Sequence, residues 1–139
     1  AAREACENMA NDAVSIAALR DELEWRILAE IADTCVNGTA PRVPGTLNVS
    51  FAGIDSASLV ELLDERGVCA AGGSACSSHE GEPSHVLVAM GLPSERTQSA
   101  LRFSLSNETT QGDIDYTVGA LKACSEQLQP FALLDLSSF

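Results

Sequence analysis

Two short segments in which large apolar residues alternate with other residues constrain the fold of this chain most strongly. Every second residue is large and apolar in residues 46–51 (TLNVSF) and again in residues 100–105 (ALRFSL). A period of two is typical of a β-strand with one buried face. The two segments therefore predict a sheet that is covered on one side, with Arg102 projecting from the opposite side.

The chain ends on either side of these strands have the period of helices. In residues 3–33, and again after Thr110, large apolar residues recur at steps of three or four, which predicts a long helix at each end. The first stripe consists of Ile16, Leu19, Leu23, Ile27 and Ile31, and the last consists of Ile114, Val118, Leu121 and Leu128. Trp25 is expected to pack at the edge of the first stripe. Thr110 and Asp113 resemble a capping box at the start of the last helix.

Shorter elements are predicted between the long helices. A helix capped by Asp55 or Ser56 precedes a candidate strand at 68–71 (VCAA). Residues 82–91 (EPSHVLVAMG) predict a short helix, and a short strand is expected at 35–36.

The resulting order is helix, strand, helix, strand, helix, strand, helix, with short strands and mostly helical connections. This order predicts an α+β two-layer sandwich, in which a small, mainly antiparallel sheet carries helices on one face. The chain has 139 residues, of which 45% are hydrophobic, so a single domain over residues 1–139 is expected.

The chain is strongly acidic. Eight Lys and Arg residues against twenty Asp and Glu residues give a formal net charge of −12. Such a chain repels phosphate backbones and anionic lipids, which excludes nucleic-acid binding as its main role. A basic protein partner or simply a solvated acidic surface remains. The sequence has no apolar run long enough for a membrane span and no signal-peptide pattern, so neither is expected.

Five widely spaced cysteines favour a reducing cytosol over a disulfide framework, so a cytoplasmic location is expected. Cys6, Cys35 and Cys124 lie in or beside predicted regular elements and are interpreted as packing residues. Cys76 differs, because it lies in a stretch of small residues, 70–85 (AAGGSACSSHEGEPSH), that predicts a mobile loop. A thiol there would be exposed and able to move, as a nucleophile that travels between two sites must.

Other interpretations of these residues stay open. The loop could be a linker with an incidental cysteine, or His79 could help to lower the pKa of a reactive thiol. Cys69, Cys76, His79 and His85 also supply zinc-binding atoms, although their spacing is unlike that of zinc fingers and Cys69 could equally be a core residue. Arg102 could hold a carboxylate through two hydrogen bonds, or could form an ordinary surface ion pair.

Several ordered motifs closely resemble the C-terminal region of cysteine desulfurases of the NifS/IscS type, which are enzymes of the class V aminotransferase family. The motifs are residues 73–78 (GSACSS), 82–91 (EPSHVLVAMG) and 102–105 (RFSL), and the upstream stretch 37–51 (NGTAPRVPGTLNVSF) is similar as well. Together they cover about residues 37–116. The C-terminal domain of such an enzyme, with its fold, is therefore the expectation for this chain.

The resemblance implies a function for both candidate residues. In the family, pyridoxal phosphate (PLP) binds free L-cysteine, and the loop cysteine attacks the substrate's sulfur. The products are L-alanine and an enzyme persulfide, which is passed to iron–sulfur scaffolds or other acceptors. Cys76 matches this nucleophile, and Arg102 matches the arginine that binds the substrate's carboxylate. A homodimer is implied for the full-length protein. Departures from the family pattern at Gly72, 79–81 and Ser106 leave the core motif in place.

The resemblance also implies what this chain lacks. The family fixes PLP through a lysine in a large domain that precedes this region, whereas the only lysine here is Lys122, inside the predicted last helix. The chain is therefore interpreted as the small domain alone, without PLP and inactive by itself. Two alternatives remain, namely a non-catalytic module that relays persulfide or docks a scaffold, and a zinc-binding or redox-sensing domain.

Overall fold

The computed structural model describes residues 2–73 and 84–136, and their side chains over residues 9–73 and 84–129. The elements in chain order are α1 (Ala2–Glu30), β1 (Thr34–Val36), β2 (Thr46–Phe51), α2 (Ser56–Asp64), β3 (Ala71–Gly72), α3 (His85–Ala89), α4 (Ser94–Gln98), β4 (Ala100–Ser104) and α5 (Gln111–Leu136).

The strands form one four-stranded sheet in the order β1-β2-β4-β3. All three neighbouring pairs are antiparallel, and the two alternating segments, β2 and β4, pair with each other at the centre. The predicted α+β architecture with a small antiparallel sheet is confirmed.

The core lies between one face of this sheet and the three longest described helices. Because side chains alternate along a strand, all the large apolar residues of β2 and β4 point to the same side. They are buried there against α1, α2 and α5 in one cluster, which includes Leu47, Val49, Phe51, Leu101, Phe103, Leu23, Ile27, Leu59, Leu63, Ile114, Val118 and Leu121. The opposite side, which we call the open face, carries Thr46, Asn48, Ala100 and Arg102.

The first helix is confirmed, but it is shorter than predicted and one of its residues was misplaced. It ends at Glu30, because Asp33 adopts a left-handed backbone conformation (φ 55°) from which the chain turns into β1. Trp25 was expected to pack at the edge of the apolar stripe, yet it is 68% exposed. Leu23 and Ile27 on either side of it are buried, so the stripe is narrower than the sequence indicated.

The predicted helix caps are present at both sites. The Asp55 carboxylate accepts a hydrogen bond from the Ser58 backbone N–H at 2.9 Å, which starts α2. At α5, the Thr110 backbone N–H donates to Asp113 Oδ2 at 2.8 Å, and the Asp113 N–H donates to Thr110 Oγ1 at 3.2 Å. These bonds satisfy backbone donors that a helix start leaves without partners.

Other short elements differ from the prediction. The candidate strand at 68–71 is reduced to Ala71–Gly72, and α4 was not predicted at all. Cys35 and Cys69 are both exposed, so neither is a packing residue. Cys124 is buried as expected, and burial raises the pKa of its thiol. Cys6 lies outside the described side chains.

Gly45 is required by a close backbone contact. The Leu105 N–H donates to the Gly45 carbonyl at 2.7 Å, which extends the β2–β4 pairing by one step. A Cβ atom at position 45 would lie 2.4 Å from the Leu105 carbonyl oxygen, a distance at which the backbone must shift. A side chain at this position would therefore force the two central strands apart.

We predict that Gly45→Ala destabilises the fold by about 1–3 kcal/mol, since overpacking against backbone is not relieved by a rotamer change. Urea unfolding checks the value. Gly119→Ala is the matched control, because a Cβ atom there meets nothing within 4 Å. That variant should gain about 0.5–1 kcal/mol from the higher helix propensity of alanine. Equal behaviour of the two variants would contradict the proposed close contact.

The capping box predicts a specific pH dependence. Hydrogen bonds from Thr110 lower the pKa of Asp113 below its ordinary value. A carboxylate with a lowered folded-state pKa contributes stability above its unfolded pKa, and this contribution is lost as the pH falls through the folded value. In urea titrations from neutral pH to about pH 2, Asp113→Asn should therefore be less stable than the parent at neutral pH, with the difference vanishing in acid. A difference that stays constant with pH would refute this.

Candidate functional site

A cavity of about 310 Å³ lies on the open face of the sheet. Its floor consists of side chains from the two central strands and from β3, and α3 supplies one wall. The loop before β2 supplies the opposite wall. The described residues that line it are Asn37, Gly38, Arg42, Val43, Thr46, Asn48, Ala71, Gly72, Gly73, Ser84, Val86, Leu87, Met90, Ala100 and Arg102. Because Arg102 is the candidate that the sequence placed here, we call this the arginine cavity.

Arg102 occupies the middle of the floor. It lies on β4 between two cross-strand partners, Asn48 of β2 and Ala71 of β3. The flanking backbone bonds, Phe51 N–H to the Ser99 carbonyl and Leu105 N–H to the Gly45 carbonyl, put the odd-numbered residues of β2 and β4 in the hydrogen-bonded pairs. Asn48 and Arg102 therefore form a non-hydrogen-bonded pair, in which side chains come closest.

The described lining of the arginine cavity is basic although the chain as a whole is acidic. Within the described residues, the Arg102 side chain is exposed and makes no hydrogen bond or ion pair, and no Asp or Glu lines the cavity. The second arginine of the lining, Arg42, is held by Glu24 at 2.6 Å. Among the described residues no group competes for the guanidinium of Arg102, and its planar fork suits a carboxylate.

A polar network beside Arg102 was not predicted. Arg96 of α4 donates from Nη2 to the Asn37 side-chain oxygen at 2.5 Å and to the Val36 carbonyl at 3.1 Å. Asn37 Nδ2 donates to Asn48 Oδ1 at 2.8 Å and to Ser50 Oγ at 2.7 Å. The Ser50 hydroxyl in turn donates to the Arg96 carbonyl at 2.7 Å. We call these four residues, Asn37, Asn48, Ser50 and Arg96, the Asn37 network.

The Asn37 network accounts for the burial of a β2 residue that faces away from the core. Ser50 points away from the core, yet it is 2% exposed because α4 covers that end of the open face. The period of two in β2 puts Asn48 and Ser50 on the side away from the core, and it does not indicate that α4 covers Ser50. The one sequence signal for this network was the resemblance of residues 37–51 to the family, in which Asn37, Asn48 and Ser50 match motif positions. Such a match does not show which side chains are in contact.

The second site residue predicted from the sequence, Cys76, lies outside the described residues, as does His79. The two residues that flank this segment, Gly73 and Ser84, both line the arginine cavity. The chain thus leaves the cavity rim before Cys76 and returns to the same rim after it.

The zinc interpretation gains no support from the described part of the chain. Cys69 lines a separate cavity beside β4 and α5, whereas His85 begins α3. No group of three or more His, Cys, Asp or Glu residues that could hold a metal ion occurs among the described residues.

A second cavity, of about 460 Å³, lies beside α4 and is unlike the first in charge. Its lining includes three carboxylate residues, Asp33, Asp55 and Glu95, together with the exposed Cys35. Arg96 is the basic residue of this lining, and its guanidinium is engaged by Asn37 and Val36. The surroundings therefore disfavour an anionic substrate.

Comparison with known proteins identifies a family for this chain. Residues 5–117 match the family described as aminotransferase class-V. The match spans most of the chain and includes the whole described lining of the arginine cavity.

This chain belongs to the class-V aminotransferase family.

Curated relatives of this family member include cysteine desulfurases. The chain is 42% identical over 115 residues to a cysteine desulfurase of Klebsiella pneumoniae, which corresponds to 82% of this chain and 29% of that protein. It is 40% identical over 133 residues to the cysteine desulfurase IscS of Haemophilus influenzae, covering 95% of this chain and 32% of the relative. The chain thus spans less than a third of the length of these relatives.

Solved structures show the same fold. A NifS-like protein from Rickettsia africae superimposes with a TM-score of 0.73 at 25% identity, over 86% of this chain and 31% of that protein. Another NifS-like protein gives a TM-score of 0.76 at 26% identity, over 89% of this chain and 30% of the other.

The residues of this class-V chain do not fit PLP, on which the family depends. The family's cofactor chemistry needs a lysine that bonds to the cofactor. The one lysine in the sequence, Lys122, is exposed on α5 and lies on the helical side of the sheet, across the core from the arginine cavity. This chain by itself therefore has no lysine at the cavity to hold PLP.

No helix in the described residues is both long and apolar enough to cross a membrane.

We predict that Ser50→Ala lowers the free energy of unfolding by about 1–3 kcal/mol, because it removes the buried partner of Asn37 Nδ2 and of the Arg96 carbonyl. Chemical denaturation measures this loss. Ser104→Ala is the control, since Ser104 is an exposed serine of β4 on the same face. The control should change stability by no more than about 0.5 kcal/mol. A similarly small effect of Ser50→Ala would contradict the role of the network.

Proposed function

We propose that this chain is the part of a cysteine desulfurase that binds the substrate's carboxylate through Arg102 and accepts its sulfur on Cys76. One observation supports this most. Arg102 lies without an ion-pair partner among the described residues, on the floor of a cavity whose rim holds both ends of the segment that carries Cys76.

The carboxylate step depends on charge and shape. L-cysteine and L-alanine both carry an α-carboxylate, and a guanidinium can donate two parallel hydrogen bonds to its oxygens. The arginine cavity offers this donor without a competing acid in its described lining, in a chain with a net charge of −12. The overall negative charge repels anions in general, so an anion that binds must be recognised locally.

The sulfur step depends on reach. Cys76 lies three residues beyond Gly73, so its Cα is at most about 11 Å from that of Gly73, which lines the cavity. A substrate bound at Arg102 is therefore within range of a loop cysteine. In the proposed transfer the sulfur atom leaves the substrate's Cβ and bonds to the Cys76 sulfur. L-cysteine and one thiol give L-alanine and one persulfide, so no further oxidant or reductant is needed.

A PLP-binding domain that this chain does not itself supply completes the proposal. Activation of the substrate needs PLP, and Lys122 lies across the sheet from the cavity. We therefore expect the chain to work with a separate PLP-bearing domain, as a homodimer in the full-length enzyme, and in the cytoplasm. A sulfur-acceptor protein, such as an iron–sulfur scaffold, would take the persulfide.

The position of Lys122 also favours a second candidate function, in which the chain is a non-catalytic module that relays persulfide or docks a scaffold. This alternative keeps Cys76 as the sulfur carrier but gives the substrate chemistry to another protein. The two candidates differ in one respect that can be tested, namely whether alanine forms when the natural protein that carries this chain is given PLP and L-cysteine.

We predict that Cys76→Ser abolishes both alanine formation and the added sulfur atom on the peptide that contains position 76, because a hydroxyl cannot form a persulfide. Alanine is measured by chromatography and the persulfide by mass spectrometry after alkylation. The absorbance of the bound cofactor should be unchanged, since Cys76 is not expected to hold PLP.

Cys35→Ala and Cys69→Ala are matched controls, because both thiols are exposed and neither is assigned a role. Both should retain alanine formation. Undiminished alanine formation in Cys76→Ser would sink the assignment of Cys76. A natural protein that forms no alanine but still accepts sulfur from a persulfide donor would favour the relay module.

A further inference from the structure

The Asn37 network fixes the orientation of an amide beside Arg102. Every nitrogen of the Arg96 guanidinium is a donor and none accepts. Its contact with the Asn37 side chain at 2.5 Å therefore requires the oxygen, Oδ1, of Asn37 on that side. Asn37 is 6% exposed, so water does not compete freely for this arrangement.

The orientation passes to the next amide. With its oxygen turned to Arg96, Asn37 presents its NH2 group to Asn48 and Ser50. Asn48 must then accept through its own oxygen, at 2.8 Å. Consequently the NH2 group of Asn48 is directed away from Asn37, and it donates to no residue within the described parts of the chain.

This NH2 group belongs to a residue that lines the arginine cavity and pairs directly with Arg102 across the strands. We infer that Asn48 is a second donor for the substrate's carboxylate, and that Asn37 and Arg96 are positioning residues that keep its NH2 group, and not its oxygen, turned to the cavity. The inference rests on the proposed function of Arg102 and extends it to the specificity of the site.

Two donors suit a carboxylate better than one. A carboxylate has two oxygens with several lone pairs, and hydrogen bonds to a charged acceptor are stronger than neutral ones. In a non-hydrogen-bonded pair the two side chains start from Cβ atoms about 4.5–5.5 Å apart, so both can reach one small group. Ala71, the other cross-strand neighbour of Arg102, lies on the side away from Asn48 and has no side-chain donor.

Asn37→Asp separates positioning from folding. The carboxylate introduced by this substitution would still accept from Arg96, and would do so as an ion pair, but it would have no NH2 group to give to Asn48. The Asn48 amide would then turn its NH2 group to that carboxylate and its oxygen to the cavity, where the oxygen repels a bound carboxylate. We expect the variant to remain folded and to bind carboxylate about 10-fold or more weakly, as loss of a hydrogen bond to a charged group implies.

The test is an NMR titration of this 139-residue chain, with L-alanine as the probe. L-alaninamide, which lacks the carboxylate, is the matched ligand control. The side-chain NH2 resonances of Asn48 and the Nε–H resonance of Arg102 report the two donors separately. With L-alanine, the Asn48 NH2 protons should shift downfield and saturate together with the Arg102 signal, whereas L-alaninamide should leave both unchanged. Asn37→Asp should remove the Asn48 shift.

Ser104→Ala is the control variant, because Ser104 lies on the strand of Arg102 and on the same face but is not among the described residues that line the cavity. It should bind L-alanine as the parent does, and thermal unfolding of each variant verifies the fold. A response of Arg102 without one of Asn48 overturns this inference and leaves the proposed function intact. If Arg102 does not respond, or if Arg102→Ala binds as tightly as the parent, the carboxylate site itself is refuted and the inference fails with it.

Discussion

The pairing of β2 with β4 is the constraint on which the rest of this structure depends. Antiparallel pairing with a fixed register sends alternate residues of both strands to the same side. In this register the large apolar residues meet the three longest described helices, and Asn48 and Arg102 become direct partners on the other side. A slip of one residue would bury Arg102 and expose Leu101, so the hydrophobic core and the candidate site require the same register.

The open face forms a cavity because helices α3 and α4 cover only part of it. α4 closes one end, where Ser50 is buried under the Arg96 carbonyl, and α3 forms a wall at the other. Arg102 is left exposed between them. Arg102 and Arg42 are the charged residues of the described lining, and Arg42 is paired with Glu24, so the described part of the cavity favours an anion although the net charge of the chain is −12. The side-chain amide of Asn48, beside Arg102, is held by Asn37, and Asn37 is in turn held by Arg96 of α4. The cavity lining is therefore connected to α4 by hydrogen bonds.

Short-range sequence patterns predicted those strands and helix starts that depend on residues close together in the sequence. The period of two found β2 and β4, and the capping residues placed the starts of α2 and α5, because a strand face and a helix cap each depend on residues close in sequence. Predictions that depended on tertiary contacts between distant parts of the chain were less accurate. Trp25 was expected at the edge of an apolar stripe but is 68% exposed, and the sequence of α4 has no apolar stripe from which a helix could be predicted.

The sequence by itself determined the small antiparallel sheet, the side of β4 from which Arg102 projects, and the family, since its motifs are contiguous and specific. Only the tertiary structure decided what surrounds Arg102. Asn37, Asn48 and Arg96 are brought together from three separate segments, namely the residue after β1, β2 and α4, and Arg96 lies 59 residues along the chain from Asn37, to whose oxygen it donates. The direction of an amide depends on which partner can accept and which can donate, and that is known only when the partners are in place.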